Sequence, residues 1–384
     1  MKPLKVLHII KNFNLGGAET NLLNLIKAMD PARVENHVAY SKGGEIEDRF
    51  RRENLRFFRY AENDHKIKSL ATLAIILKLR SYLISQKIDI VHTHNFNAHV
   101  WGCLAAKLSG CRVVEHVHDF RYMEWQEFTR RKGSVYQYRF IKYFKGMSDR
   151  VVVLTAQNKE YLLEHGFYPA GRIREIHNGI PLERKTYNAQ EVRLRLGLMS
   201  ENKVVLIPAR ISAEKNIDRV LDIAAEVLNK VPHVIFLVAG DGPLKTALVA
   251  SVHARKLERH VKFLGFYEDI PELLSIADVF LLPSFLELHS ISILEALSMK
   301  VPVVTSQEVG CNSDVFHSGL DALLCDPFSK DGWGEAVTRL LLDKALHDRL
   351  GEEGARLCQS RFDIKKTAGA FTDLYEELCP KNHE

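Results

Sequence analysis

The chain has 384 residues, 46% of them hydrophobic and 26% charged, with a formal net charge of +5. That length is enough for two domains with full cores, and the composition is that of an ordinary soluble globular protein. No apolar run reaches the roughly 18 residues of a membrane span, the six scattered cysteines include no Cys-x-x-Cys pair and so indicate neither a zinc site nor a disulfide framework, and the mild positive excess suits phosphate-bearing ligands or an anionic surface without implying nucleic acid.

The amino terminus turns polar too quickly for a secretory signal, and Val6–Ile10 reads as a first strand. Gly16-Gly17 follows in a loop, and residues 18–29 read as a helix with Leu22, Leu23, Leu25 and Ile26 on its apolar face. Two glycines between a strand and a helix form either a plain tight turn or a place where backbone approaches a ligand closely. They do not spell G-x-G-x-x-G, so a dinucleotide fold of that fingerprint is disfavoured. Strands at 37–40 and 55–60 precede a long helix over 68–86. A strand over 89–93 runs into His92-Thr93-His94, and another over 112–117 runs into His116-Val117-His118-Asp119, with a helix over 100–108 between them. Such alternation is that of right-handed parallel β-α units. His94 and His118 thus lie at the carboxyl ends of parallel strands. Two imidazoles there could bind a metal, but the spacing supplies no third zinc-type ligand, and a neutral imidazole can instead bond a hydroxyl or pass a proton. Residues 121–145 interleave aromatic with basic side chains. They read either as a face for an anionic lipid surface or as a helix with its aromatic side toward the core. A strand at 150–154, a helix at 157–164 and a short strand at 174–176 lead to His177-Asn178-Gly179-Ile180-Pro181, a turn that opens a linker over about 181–188.

A second series of strands and helices starts at 203–209. Arg210 and Lys215 lie in the loop between that strand and a helix expected over 216–228. The pair reads either as a solvated helix start or as a clamp for a diphosphate, with Arg giving a planar fork of donors and Lys a point charge. A strand at 234–239 ends in the turn Gly240-Asp241-Gly242-Pro243, and a strand at 261–264 ends in Gly265-Phe266-Tyr267-Glu268-Asp269-Ile270. The stretch 281–305, LLPSFLELHSISILEALSMKVPVVT, then reads strand, loop, helix, strand. Ser290 or Ser292 can cap a helix starting near Ile291. Glu287 falls in the loop beyond a strand end, and Glu295 in the first turns of the helix, with seven residues between them. In open parallel sheets that crevice takes ligands. A helix amino terminus attracts phosphate, and a carboxylate beside it accepts from sugar hydroxyls. A strand at 322–326 and helices over 332–342, 344–361 and 364–378 complete the chain.

The run from Leu282 to Val304, with its Pro-Ser, Glu-x7-Glu, helix and Pro-Val-Val, resembles the signature of the retaining family-4 glycosyltransferases of the group 1 type. Gly-Gly-Ala-Glu at 16–19, His118-Asp119, Asn178-Gly179-Ile180 and Ala209-Arg210…Glu214-Lys215 match that family's other motifs in order. The resemblance departs at Ala209, where the family carries Gly, at Leu288-His289-Ser290, where it carries small residues, and at Val309-Gly310-Cys311, where it carries Gly-Gly. It implies the α/β GT-B fold: two doubly wound Rossmann-like domains facing across a cleft, residues 1–182 (with helix 364–378 packing back) for the acceptor and 189–360 for a nucleotide sugar. It implies that Arg210 and Lys215 stabilise the leaving diphosphate and that Glu287 and His118 contact the sugar. Glu295 would hold the ribose, the turn Ser290-Ile291-Ser292 and Gly16-Gly17 would offer backbone N–H groups to phosphate, and the loop with Phe266 and Ile270 would hold the base. The expected reaction moves a hexose from a nucleotide diphosphate, a UDP-sugar above others, to a glycan or lipid-linked acceptor. No cofactor is expected, and no metal, since the chain has no Asp-x-Asp pair. Residence is expected in the cytoplasm with contact at the membrane's inner face, and no nucleic acid as partner. A sugar-nucleotide epimerase of the same fold and a silent nucleotide-sugar-binding module are the alternatives.

Overall fold

The computed structural model describes residues 2–14, 16–62, 70–94, 96–118, 146–183, 185–285, 287, 289–307 and 315–380. The basic-aromatic segment 121–145, Asp119, Leu288, Gly310 and Cys311 lie outside them. The chain divides into two compact units, Met1–Gly179 with Ile364–Glu384, and Ile180–Asp363.

The first unit is a seven-stranded parallel sheet in the order β3-β2-β1-β4-β5-β6-β7. Its strands are β1 (Leu4–Ile9), β2 (Val34–Tyr40), β3 (Arg56–Arg59), β4 (Ile90–Thr93), β5 (Arg112–Val117), β6 (Arg150–Val153) and β7 (Ile173–Glu175). Val, Ile and Leu dominate β1 and β6 because helices cover both faces of a parallel sheet. Side chains alternate along each strand. Leu7, Ile9, Val91 and Val113 therefore enter one core with α3 (Leu70–Gln86) and α4 (Phe96–Lys107). Val6, Ile90 and Val114 enter the other, covered by Phe371, Leu374 and Tyr375 of α13 (Ile364–Leu378). Helix α13 thus completes a sheet made almost 200 residues earlier in the chain. Arg33 ties it down at 2.8 Å from Glu376.

The second unit is a six-stranded parallel sheet in the order β10-β9-β8-β11-β12-β13. Here β8 is Lys203–Pro208, β9 Val234–Ala239, β10 Val261–Gly265, β11 Val279–Leu282, β12 Val303–Ser306 and β13 Leu323–Cys325. All six residues of β9 are buried, as a central strand covered on both faces requires. The helix expected over 216–228 begins later, as α7 (Arg219–Leu228). A 3₁₀ turn, Ala213–Lys215, ends at Asn216 in the left-handed region with φ 52°. Asn tolerates that conformation where most residues do not, and it halts the turn so that Lys215 stays in the loop. Helices α11 (Trp333–Leu342) and α12 (Lys344–Arg361) follow with the bounds expected to within a residue.

Candidate functional site

Strand order reverses between β8 and β11 in the second unit, and between β1 and β4 in the first. At such a switch point the loops leaving the carboxyl ends diverge and open a crevice. Arg210 and Lys215 leave β8, and Glu287 leaves β11, so these three candidate residues sit at the second unit's switch point.

Lys215 Nζ lies 2.5 Å from Glu287 Oε2, with both side chains largely withdrawn from solvent. Ser284 Oγ donates to the same carboxylate oxygen at 3.3 Å. The backbone joins the loops as well, since Phe285 N–H donates to the Glu214 carbonyl at 2.8 Å. The two loops are thus one structure, although 72 residues separate the charged partners. Arg210 is exposed beside them in sequence. Its backbone is set by close glycine contacts. A Cβ at Gly240 would stand 2.0 Å from the Ala209 carbonyl oxygen, and one at Gly242 2.3 Å from that of Ile211. The Gly240-Asp241-Gly242 turn can therefore lie flat against residues 209–211, and the Ile211 N–H donates to the Asp241 carbonyl at 3.0 Å.

Helix α10 (Ile291–Ser298) starts at Ser290 as expected, but the serine does not cap it. Its Oγ instead meets Ser292 Oγ at 3.0 Å. No Ser290 side-chain bond occupies the first-turn N–H groups, which carry the positive end of the helix dipole. Glu295 is half-buried within α10. His289, in the position of the departure, turns inward and packs edge-on to Phe362 with centroids 5.2 Å apart. Phe266 is 47% exposed at the end of β10. Ile270 opens a short helix, α9 (Ile270–Leu274), and packs on the core.

In the first unit, Gly16 precedes α1 (Gly17–Ala28) as its cap residue. A Cβ at Gly17 would meet nothing within 4 Å, so protein packing does not require glycine there. Burial pushes the nearby Glu19 carboxyl upward.

His118 and His94 prove to be members of a row of five imidazoles. In the parallel register His8 lies opposite His92, and Thr93 opposite Glu115. Alternation then puts His8, His92, His94, His116 and His118 on one face. They continue, toward the carboxyl ends, the face that Val6, Ile90 and Val114 begin. His8 Nδ1 lies 3.1 Å from His94 Nε2, and His94 Nδ1 lies 3.2 Å from His118 Nε2. His8 Nε2 is 2.9 Å from Asn36 Oδ1, and His92 Nδ1 is 2.6 Å from the Tyr375 hydroxyl. The rings of His116 and His118 stand 3.9 Å apart. Neither ring nitrogen of His116 has a hydrogen-bond partner among the described residues. Desolvation pushes His8 and His118 down to about 4 and His92, His94 and His116 well below the ordinary histidine range. All five are neutral at pH 7.

Sequence spacing showed two of these histidines and no third metal ligand. The fold gathers two triples, His8-His92-His94 and His94-His116-His118, each with ring nitrogens within 4.8 Å of one another. Such neutral nitrogens could ligate a divalent ion. His8, His92 and Asn36 were missed because they lie inside strands. The available signal was His-x-His at the ends of two strands, since i and i+2 share a face.

Residues 188–357 match the family profile described as glycosyl transferases group 1, and residues 15–184 match that of glycosyltransferase family 4. The chain is 26% identical over 387 residues to the UDP-Gal:alpha-D-GlcNAc-diphosphoundecaprenol alpha-1,3-galactosyltransferase of Escherichia coli, covering 98% of this chain and 97% of that protein. It is 27% identical over 319 residues to the alpha-D-kanosaminyltransferase of Streptomyces kanamyceticus, covering 80% and 82%. Among solved structures it resembles Anabaena Alr3699/HepE, crystallised with UDP and glucose, with a TM-score of 0.83 and 20% identity over 97% of this chain and 99% of that one. With both halves matched and both sheets built as doubly wound units, the chain belongs to the family-4, group 1 glycosyltransferases of the GT-B fold.

Proposed function

We propose that the enzyme is a retaining hexosyltransferase that takes its sugar from UDP and passes it to a glycan or a lipid-linked acceptor, with no metal ion in the step. The observation that carries this reading is the Lys215–Glu287 pair at the second unit's switch point. A cation and a carboxylate fixed together there suit a ligand that is both phosphate and polyol. Lys215 and Arg210 face the diphosphate and stabilise the charge that grows on it as the glycosidic bond breaks, the term that usually dominates such catalysis. Glu287 accepts from sugar hydroxyls, and Glu295 from the ribose. The N–H groups of Ser290, Ile291 and Ser292 serve phosphate at the start of α10, and the loop with Phe266 and Ile270 holds the base. His118 contacts the sugar, while Gly16 and Gly17 offer backbone N–H groups to phosphate. The UDP and glucose of the Anabaena structure and the diphosphoundecaprenol of the Escherichia coli relative support the donor and acceptor classes.

No helix among the described residues is long and apolar enough to cross a membrane. We infer from the lipid-linked acceptor class that the enzyme works as a peripheral protein at the cytoplasmic face of the membrane. The decisive experiment is a screen of UDP-hexoses for UDP release, with and without a diphospholipid acceptor, with the product anomer read by NMR. UDP release that persists in EDTA, with the donor's anomeric configuration kept, is the expected result. Binding of UDP-sugars, seen as a raised melting temperature, without release or transfer would identify a silent module. Accumulation of an epimer without acceptor would identify an epimerase.

A further inference from the structure

The imidazole row has a direction. Asn36 Oδ1 can only accept, so His8 Nε2, 2.9 Å away, carries the proton. A neutral ring has one N–H, which leaves His8 Nδ1 as a lone pair. Its partner at 3.1 Å, His94 Nε2, must then donate. The same logic leaves His94 Nδ1 bare and makes His118 Nε2 the donor at 3.2 Å. Three hydrogen bonds therefore settle one proton position at the end of the chain. Burial holds every ring in the chain neutral at pH 7, so none of them carries two protons and breaks the sequence. His8 and His94 are almost wholly buried, while His118 is partly open.

We propose that Asn36, His8 and His94 are positioning residues that fix His118 as its Nε2–H tautomer, leaving Nδ1 as a bare acceptor for a hydroxyl of bound carbohydrate. The inference rests on the reading of His118 as a sugar-contacting group and deepens it. A ring free to swap tautomers would present a donor or an acceptor at random. A locked ring presents one dipole, already oriented before the ligand arrives, and discriminates against a sugar that offers only an acceptor there. His92, on the same face, belongs to a separate branch, because its Nδ1 is engaged by the Tyr375 hydroxyl at 2.6 Å.

The test uses the full-length protein labelled with ¹⁵N-histidine. In the wild type, His8, His94 and His118 should each show a protonated Nε2 and a bare Nδ1. An Asn36 amide turned the other way would run the chain in reverse, and a protonated Nδ1 on His118 would overturn the proposal. So would stoichiometric binding of added Zn²⁺ to these rings, which would make them a metal centre. The Asn36→Leu variant should mix the tautomers of His118 and lower kcat roughly 10- to 100-fold, a loss of the size known for outer-shell partners of metal-bound imidazoles, with KM for the donor changed by less than about twofold. His8→Phe keeps a ring in the stack and breaks the chain one link later. It should cost the same, and the double variant no more, because both remove one unit. Additive losses would point to mere packing and overturn the proposal. Mixed tautomers with an unchanged rate would leave the chain's direction intact and sink the assignment of His118 to carbohydrate.

Discussion

At the switch point of the second unit the strand ends carry formal charge, with Lys215 against Glu287 and Arg210 exposed. At the switch point of the first, the strand ends carry five rings that burial keeps neutral. The difference follows from what each environment permits. An ion must stay near water or near an opposite charge, so the charged cluster sits on loops beyond its strands. A neutral imidazole costs far less to bury than an ion, so the histidines begin inside the strands themselves. Charge suits a diphosphate, which is itself charged. Fixed neutral dipoles suit hydroxyl groups, which are told apart by donor and acceptor geometry and not by charge.

Acid should separate the two clusters most. Each ring of the row binds its proton more weakly in the folded chain than in the unfolded one. For His8 and His118, between the ordinary value near 6.5 and their folded value of about 4, the unfolded chain takes up more protons. Stability is therefore full above about pH 6.5 and falls as pH drops through that window. Each of these two rings contributes up to about 1.4 kcal/mol per pH unit, so the first unit should lose several kcal/mol by pH 4.5. Denaturant midpoints taken across pH check this, and a midpoint flat from pH 7 to 4.5 would mean that the rings are charged or solvated in the folded state. Next in size, Lys215→Ala should lower kcat roughly 100- to 1,000-fold, about 2.7–4 kcal/mol of transition-state stabilisation. Stability should fall as well, because the largely buried Glu287 carboxylate loses its cation, and a rate within a few-fold of wild type would remove the lysine from the chemistry. The smallest effect is expected from Tyr375→Phe. It removes the hydroxyl beside His92 Nδ1 and leaves a buried nitrogen without a partner, a loss of about 1–3 kcal/mol in unfolding free energy. If stability is unchanged, the hydroxyl is not a working partner of that ring.

Much of the scaffold could be read from periodicity. Apolar runs of four to six residues ending at Gly, Pro or His marked the strands, and the last helices fell where their apolar spacing put them, as with Ile364–Leu378. The start of α7 was misplaced because the left-handed turn at Asn216 interrupts a pattern that is otherwise helical. The Lys215–Glu287 pairing was not visible, since it depends on β8 and β11 being neighbours at a reversal of strand order. Motif resemblance had named both residues without showing that they touch. The imidazole row was hidden more deeply. His8, Asn36 and His92 are ordinary strand residues in one dimension, and only the register of three parallel pairs brings them together.

Helix α13 covers the imidazole face, and it leaves the ribosome after every residue of the second unit. During synthesis the second unit has all its strands in hand and can fold as an uninterrupted insert, while the first sheet waits with Phe371 and Tyr375 still to come. Domains generally fold as units, in order of emergence. In this chain the earlier-made half finishes later, and its exposed sheet face is the surface a chaperone would meet.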